Sequence, residues 1–522
     1  MLQVLLWTLS LFVAGCLARA IYNVYLHPLR EYPGPLLCRA TFLTWMLIQC
    51  RGESTNFIHA QHKRYGPVVR IEPNLLSYSD GQAWRDIYGH KTGANSTAVG
   101  NLPKPPYAVR TNPNGFSDII NVPTEHGHRR MRKLMTHMFS AAALAGQEPL
   151  IRGYVDKLVA MLQARSGEPL DIGLCFACTT FDVLGALAFG KDFGGLDTGE
   201  LHPWVTNIFG SIKQSYLQRI LNRFPWPLNR IAYRIVVDNE LSQARKDEFN
   251  FATDRARERL ERGITMEKHD FMSYMLKYND VKGMSEGEIM SNSSILIIAG
   301  GETSTYKPLL SHPGETWENS PCKLGAVYLS GIIYHMLCKP SVMEKLVDII
   351  RSTFKSEDEI TFNSLSEIEY LSAVIQEGGR TYAPVPSGLP RVATRGGSMI
   401  LNKHVPEGTV VYVHAMAANL SPANFVDPHD FVPERWLKPP PAEYADDNLH
   451  ATQAFSLGPR GCIGRNLAMA EMRLILARVL WNFDIQLCAE SKGWKESQKT
   501  YNVWDKTPLM VTLTPRALHS SD

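Results

Sequence analysis

A chain of 522 residues, 44% apolar and 20% charged, has the make-up of an ordinary packed protein, which excludes collagen-like, low-complexity and largely disordered chains. Its 54 basic against 51 acidic residues leave a formal charge of +3, which makes no electrostatic case for nucleic acid as a partner. Nine cysteines, an odd number without dense regular spacing, exclude a secreted disulfide scaffold and point to a reducing compartment.

No formally charged side chain occurs from Met1 to Ala18, and apolar character continues through Ile21, Val24 and Leu26, a length that suits one membrane span over residues 1–26. A cleavable signal peptide is the competing reading, because Ala18-Arg-Ala20 imitates a small-x-small site, but basic residues ahead of the apolar run are missing. Arg19, Arg30, Arg39 and Arg51 follow the run instead, so the positive-inside tendency puts the bulk of the chain in the cytosol. His27-Pro28 and Tyr32-Pro33-Gly34-Pro35 cannot continue a helix, which makes residues 27–35 a stiff hinge before one large domain at 36–522.

Past the hinge, strand-like runs at Val68 to Ile71 and Leu75 to Tyr78 are outnumbered by helical three-four spacing. Helices are expected over Leu150 to Leu162, Asn239 to Arg262, Ser341 to Phe354, Ser364 to Gln376 and Asn466 to Trp481. Strands near Gly408 to Val413 and Leu509 to Thr514 predict a small sheet beside them, so the fold class is mainly α with a small β region. Cys175 and Cys178 form a C-x-x-C pair with no second pair nearby, and core packing is expected of them rather than zinc binding.

Chemistry concentrates late in the chain, in Phe455-Ser-Leu-Gly458-Pro-Arg460-Gly-Cys462-Ile-Gly464-Arg465-Asn-Leu-Ala468, a glycine-rich loop running into an amphipathic helix. A cysteine at a helix start gains thiolate stabilisation from free backbone N–H groups and the positive dipole end. Upstream, Glu377-Gly-Gly-Arg380 places a carboxylate and a guanidinium on one face of a helix, ordinarily a solvated ion pair, and Phe431-Val-Pro433-Glu434-Arg435-Trp436 follows it. Earlier still comes Ile297-Ile-Ala299-Gly300-Gly301-Glu302-Thr303-Ser304, small residues followed by an acid beside an alcohol.

The Phe455 to Gly464 loop resembles the haem-binding signature of the cytochrome P-450 family, F-x-x-G-x-R-x-C-x-G, with every fixed position filled. A chance match in a chain this long has a probability on the order of one in ten thousand. The other segments resemble the family's oxygen-binding helix and its E-x-x-R network, in the family's order, and family-like text runs from the hinge to the C-terminus. The resemblance implies the cytochrome P-450 fold behind one transmembrane helix, and heme b (iron protoporphyrin IX) with Cys462 as axial ligand. Phe455, Gly458, Arg460 and Gly464 then hold the haem from the loop, the two glycines by letting the backbone turn closely beneath the macrocycle. His128 and Arg132, within His126-Gly-His128-Arg-Arg-Met-Arg132, match a propionate-binding position, as do Arg391 and Arg460. Glu302 and Thr303 match the proton relay, with the small residues before them leaving room for dioxygen. Glu377, Arg380 and Arg435 match the buried structural network, from which Gly378 and Gly379 depart, since each glycine weakens a helix by up to about 1 kcal/mol.

By the same resemblance, the chain inserts one oxygen atom from O2 into a small apolar substrate, in the style of filamentous-fungal secondary metabolism. It takes electrons from NADPH through a cytochrome reductase, with cytochrome b5 as a further donor, at the endoplasmic reticulum membrane. Arg129, Arg130 and Lys133 suit a solvated basic helix face and equally a reductase dock. Substrate-lining segments are expected at 95–122, around Ile298, at Ser387 to Leu389 and near Val503 and Trp504. A haem-thiolate isomerase or dehydratase needing no reductase, and a catalytically impaired haem binder, stay open as alternatives.

The second alternative arises from Tyr306 to Gly325, where Pro308, Pro313 and Pro321 interrupt a helix that the family continues unbroken, each interior proline costing about 3 kcal/mol. Without residues 306–325, Thr305 joins Ala326-Val-Tyr-Leu-Ser-Gly-Ile-Ile-Tyr-His-Met-Leu337 as one apolar helix. Residues 306–325 are therefore expected to be translated intron or a gene-model insertion.

Overall fold

The computed structural model describes residues 1–90, 101–109, 112–205, 216–224, 226–236, 239–263, 270–279, 283–302, 327–501 and 503–516. Its longer helices, in chain order, include α1 (Leu2–Ile21), α2 (Leu36–Ala40), α3 (Leu43–Cys50), α4 (Ser54–Tyr65), α5 (Gly81–Tyr88), α6 (Glu125–Thr136), α7 (Ala141–Ala164) and α8 (Ile172–Phe189). They continue as α9 (Leu228–Val236), α10 (Asn239–Glu261), α11 (Phe271–Lys277), α12 (Glu286–Glu302), α13 (Val327–Cys338), α14 (Pro340–Thr353), α15 (Glu369–Thr381) and α16 (Arg465–Asn482). The strands are β1 (Val68–Glu72), β2 (Leu75–Tyr78), β3 (Pro169–Asp171), β4 (Arg391–Val392), β5 (Ser398–Ile400), β6 (Lys403–Val405), β7 (Val410–Val413), β8 (Phe483–Leu487), β9 (Lys499–Tyr501), β10 (Val503–Asp505) and β11 (Met510–Pro515). The fold is mainly α with small sheets, as expected, and it divides into two compact units.

One unit comprises Met1–Pro106, Pro386–His429 and Asp446–Gly461. Its four-stranded sheet runs β1-β2-β7-β4. Val68 lies opposite Tyr78 in the antiparallel β1–β2 pair, and Leu75 lies opposite Val410 in the parallel β2–β7 pair. Trp45, Ile58, Ile71, Leu75 and Tyr412 form a buried cluster between this sheet and α3 and α4. At the N-terminus α1 continues into a π-helical turn, Tyr22–Leu26, and Leu2–Leu26 is long and apolar enough to cross a membrane, its most apolar 18-residue stretch having no residue buried in protein.

The other unit comprises Tyr107–Val385, Asp430–Ala445 and Cys462–Asp522. Helix α8 starts where the Asp171 carboxylate accepts the Gly173 N–H at 3.0 Å and ends at Gly190, whose φ of +69° only glycine adopts freely. It is apolar enough to span a membrane but is 94% buried, so it is a core helix. Against it runs α12, so closely that a Cβ at Gly300 would sit 2.6 Å from Leu184 Cδ1.

Three sequence expectations need correction. Helix α7 begins at Ala141, ahead of Leu150, because Ser140 caps it and the buried stripe Ala143, Gln147, Ile151 carries the helix through Pro149. The run Ser364 to Gln376 is two helices, since Ile368 is extended at φ −81°, ψ 93° between Phe362–Ser366 and α15. The strands expected at Gly408 to Val413 and Leu509 to Thr514 belong to different sheets, β7 to the four-stranded sheet and β11 to β3-β11-β8. Strand partners are long-range choices that a local pattern does not encode.

Candidate functional site

The loop that carries Cys462 is held by backbone geometry before any side chain acts. Ser456 and Gly458 both have positive φ, +58° and +73°, and Gly458–Arg460 is one 3-10 turn. A Cβ at Gly458 would lie 2.0 Å from the Tyr88 carbonyl oxygen. Gly458 is thus required by the approach of the loop to α5, a reason the sequence reading did not supply. Gly464 is different, because a Cβ there meets only the Phe139 ring at an ordinary 3.5 Å.

Cys462 is exposed, yet enough protein surrounds it that burial pushes its thiol pKa up. The Gly464 N–H, Arg132 and Arg465 pull the other way without prevailing. The polypeptide alone therefore favours the thiol, and a bound metal cation is what deprotonates a coordinating cysteine outright. Arg465, not singled out from sequence as a site residue, belongs to this electrostatic neighbourhood.

Helix α6 begins where Thr124 caps the Gly127 N–H at 3.1 Å, and it buries His128 while leaving Arg132 half-buried. Desolvation lowers the Arg132 pKa and Cys462 opposes that shift, which places the guanidinium and the sulfur in one field. On the basic face Arg129 and Lys133 are exposed as expected, and Arg130 alone is partly withdrawn from solvent. Arg130 forms a forked ion pair with Glu288, at 2.5 and 3.1 Å, and Arg129 pairs with Glu125 at 2.8 Å, while Lys133 is exposed.

In the first unit, Arg391 is 4% exposed and stacks over the Tyr88 ring at 5.0 Å. Its Nη1 donates to the Pro390 carbonyl at 2.9 Å, and burial lowers its pKa. Among the described residues no carboxylate lies within ion-pair distance of it. Tyr88 is itself fixed, donating to the Leu389 carbonyl at 2.8 Å and accepting from the Val413 N–H at 3.2 Å. Phe455 and Arg460 are half-buried in the same unit.

Glu377, Arg380 and Arg435 meet with no exposure of any side chain. Arg380 forks onto Glu377 through Nη2 at 2.7 Å and Nε at 2.9 Å, and Arg435 Nε donates at 3.3 Å. The same carboxylate accepts the Val432 N–H and the Trp436 indole N–H, both at 2.8 Å, and Arg435 stacks over Tyr444 at 4.7 Å. The fold aims the Trp436 indole at this carboxylate, which no linear pattern encodes. The unexpected Gly378 has a packing cause: a Cβ there would lie 2.3 Å from Ile332 Cγ1 on α13.

The oxygen-helix text lies on α12, whose last described residue is Glu302, and Thr303 with residues 304–326 lies outside the described residues. Gly300 is explained by packing against Leu184 as well as by any need for space. Of the expected lining segments, residues 95–100 and 110–111 lie outside the described residues, and Ile298 is buried. Trp504 is buried, stacked on Tyr382 at 4.8 Å with its indole N–H donating to the Ala383 carbonyl at 2.8 Å. It is a packed side chain rather than an open wall.

The residues present suit a haem. A buried guanidinium without a carboxylate partner calls for an anionic group, and Arg391 meets that description, as a porphyrin propionate would. A cysteine under a helix start with two arginines near it suits an anionic sulfur on iron.

Comparison with known proteins agrees. The family model for cytochrome P-450 matches residues 33–306 and 326–513. The chain is 41% identical over 503 residues to cytochrome P-450 monooxygenase aclL of Aspergillus oryzae, covering 95% of this chain and 96% of that protein. It is 40% identical over 510 residues to cytochrome P-450 monooxygenase astJ of the same species, covering 97% and 95%. It is 36% identical over 529 residues to an averantin hydroxylase of Dothistroma septosporum, covering 99% and 93%. With this fold, this cysteine loop and relatives matched over almost their whole length, the chain belongs to the cytochrome P-450 family and is a haem-dependent monooxygenase.

Proposed function

We propose that the protein hydroxylates or epoxidises a small, mostly apolar organic substrate in fungal secondary metabolism, with Cys462 as the axial ligand of its haem. The observation that carries this reading is the Cys462 loop, its sulfur in the field of Arg132 and Arg465, in a chain whose relatives are named as monooxygenases and, in one case, a hydroxylase. When bound, haem would supply dioxygen activation, and an anionic Cys462 sulfur would favour it.

The protein's own residues then have separate tasks. Arg391, His128, Arg132 and Arg460 would each offer a donor to a haem propionate. Phe455, Gly458 and Gly464 shape the loop around the cysteine. Glu302 and Thr303 hold and pass a proton on the distal side. Glu377, Arg380 and Arg435 keep the segments 377–380 and 430–436 in register. Electrons come from NADPH through a membrane-bound reductase, with cytochrome b5 as a further donor, and Leu2–Leu26 anchors the chain in the endoplasmic reticulum membrane with its catalytic part in the cytosol.

Residues 306–325 are best read as an insertion absent from the active protein. The family match leaves out 307–325, which supports that reading. Sequencing the spliced transcript tests it, since retention of these codons in the mature message contradicts it. Turnover by reconstituted membranes with reductase, NADPH and isotopically labelled dioxygen tests the reaction. One labelled oxygen atom per product supports a monooxygenase, whereas an unlabelled, isomerised product formed without NADPH supports the reductase-free alternative.

A further inference from the structure

Four aromatic side chains of the unit that holds Cys462 stand in unbroken ring contact, from its interior to its surface. Trp504 of β10 stacks on Tyr382 at 4.8 Å, Tyr382 meets Trp494 at 5.5 Å, and Trp494 meets Tyr334 of α13 at 5.2 Å. All four are buried, Tyr382 completely. One turn on from Tyr334, at the last residue of α13, Cys338 is exposed, and its sulfur shares a hydrogen bond with the Tyr334 hydroxyl. The line of rings therefore ends on a thiol at the surface. At its inner end Trp504, in a segment expected to flank the substrate, is a packed indole, so direct contact with substrate does not explain it.

Ring pairs at these separations stabilise a core, but packing alone asks nothing of their polar atoms. Here those atoms are arranged. The Trp494 indole N–H donates to the Thr507 carbonyl at 2.7 Å, the Tyr382 hydroxyl donates to Gln498 Oε1, and the Tyr334 hydroxyl faces Glu496 Oε2 at 3.5 Å. A phenol that loses an electron becomes strongly acidic, so the electron vacancy settles where a base can take the proton. Tyr334 has a carboxylate for this and Tyr382 has an amide, which favours movement of the vacancy outward. Desolvation by the surrounding protein raises the Cys338 thiol pKa, which makes that sulfur a slow direct target for peroxide.

We propose that Trp504, Tyr382, Trp494 and Tyr334 form a relay that carries electrons inward from the Cys338 thiol to the haem when hydrogen peroxide oxidises it in the absence of substrate. Cys338 is then consumed in place of the side chains around the haem. At the surface Cys338 gives up two electrons and two protons and takes the oxygen of one water, becoming a sulfenic acid. At the haem hydrogen peroxide takes two electrons and two protons and leaves as two waters. The net change is one thiol and one peroxide to one sulfenic acid and one water, and each ring ends as it began. The inference rests on the haem reading of the Cys462 loop.

The test treats haem-loaded protein, its loading read from the carbon monoxide band, with hydrogen peroxide and no substrate, and traps sulfenic acid with dimedone for mass spectrometry. Cys488, half-buried in the same unit and outside the line of rings, is the internal reference. Labelling of Cys338 relative to Cys488 is expected to be several-fold higher in haem-loaded than in haem-free protein. Tyr334→Phe, which keeps the ring and removes the ionisable hydroxyl, should lower it several-fold at equal haem content, while freeze-quench electron paramagnetic resonance shows a longer-lived radical on the remaining rings. Trp494→Phe, a ring harder to oxidise, should lower it as well. Labelling that ignores haem and both substitutions is direct reaction with peroxide and overturns the relay while the haem reading stands. A protein without the thiolate band overturns the haem reading itself, and the relay with it.

Discussion

Gly378 on α15 faces Ile332 on α13 so closely that a methyl group added at Gly378 would lie 2.3 Å from Ile332 Cγ1. Glycine in a helix interior costs about 1 kcal/mol against alanine, so its presence one residue after the buried Glu377 is otherwise unfavourable. Gly378→Ala is expected to destabilise, because overpacking costs about 1–3 kcal/mol and exceeds the gain in helix propensity. Adding Ile332→Ala to it should recover part of the loss. Thermal unfolding of both variants checks this, and a Gly378→Ala protein as stable as the parent contradicts the packing argument.

Glu377 pairs with both Arg380 and Arg435, and all three side chains are fully buried. Removing its charge takes a paired anion from two buried cations, a loss of about 3–5 kcal/mol, which is a large share of a domain's stability of about 5–15 kcal/mol. Glu377→Gln is expected to give little folded protein. Trp436→Phe removes only one donor to the same carboxylate and should cost about 1.5–3 kcal/mol. Equal expression and denaturation midpoints for Glu377→Gln and the parent would contradict this.

Arg391 separates haem retention from stability. It is buried without a carboxylate among the described residues, so Arg391→Leu removes a desolvated charge and should leave the haem-free protein as stable as before or more so. The same change should lower the haem-to-protein absorbance ratio, since a propionate loses its partner. A variant that keeps its haem content but loses stability would assign Arg391 to the scaffold instead.

Glu471 on α16 predicts a pH dependence. Burial pushes its carboxyl pKa up to about 8, and Oε1 has no hydrogen-bond partner among the described residues. The folded state then keeps a proton that the unfolded chain releases near pH 4, so this group's contribution to stability falls as pH rises from about 4 to 8. At its steepest the slope approaches about 1.4 kcal/mol per pH unit. Glu471→Gln should flatten that fall and be most stabilising, relative to the parent, near pH 8. Parallel stability–pH curves for parent and variant would contradict the shift.

What was legible in the sequence was what lies in consecutive residues or recurs at helical spacing. The Cys462 loop, the Glu377–Arg380 pair and the apolar run Leu2–Leu26 are of this kind. What was not legible depends on chain segments meeting in space. Tyr88 presses on Gly458 and supports Arg391 from more than three hundred positions away, and Ile332 dictates Gly378 from another helix. Arg130 looked like a solvated cation until Glu288 came beside it. Strands β7 and β11 each resembled a member of one small sheet, because a strand's own residues do not name its partner.

The most direct test of Cys462 is the spectrum of the reduced protein bound to carbon monoxide, recorded with and without residues 306–325 and repeated with Cys462→Ala. The red-shifted band of a thiolate-ligated haem is expected from the shorter form and is expected to vanish in Cys462→Ala. A band that survives Cys462→Ala, or haem binding by neither length of chain, would contradict the assignment of Cys462 as the ligand.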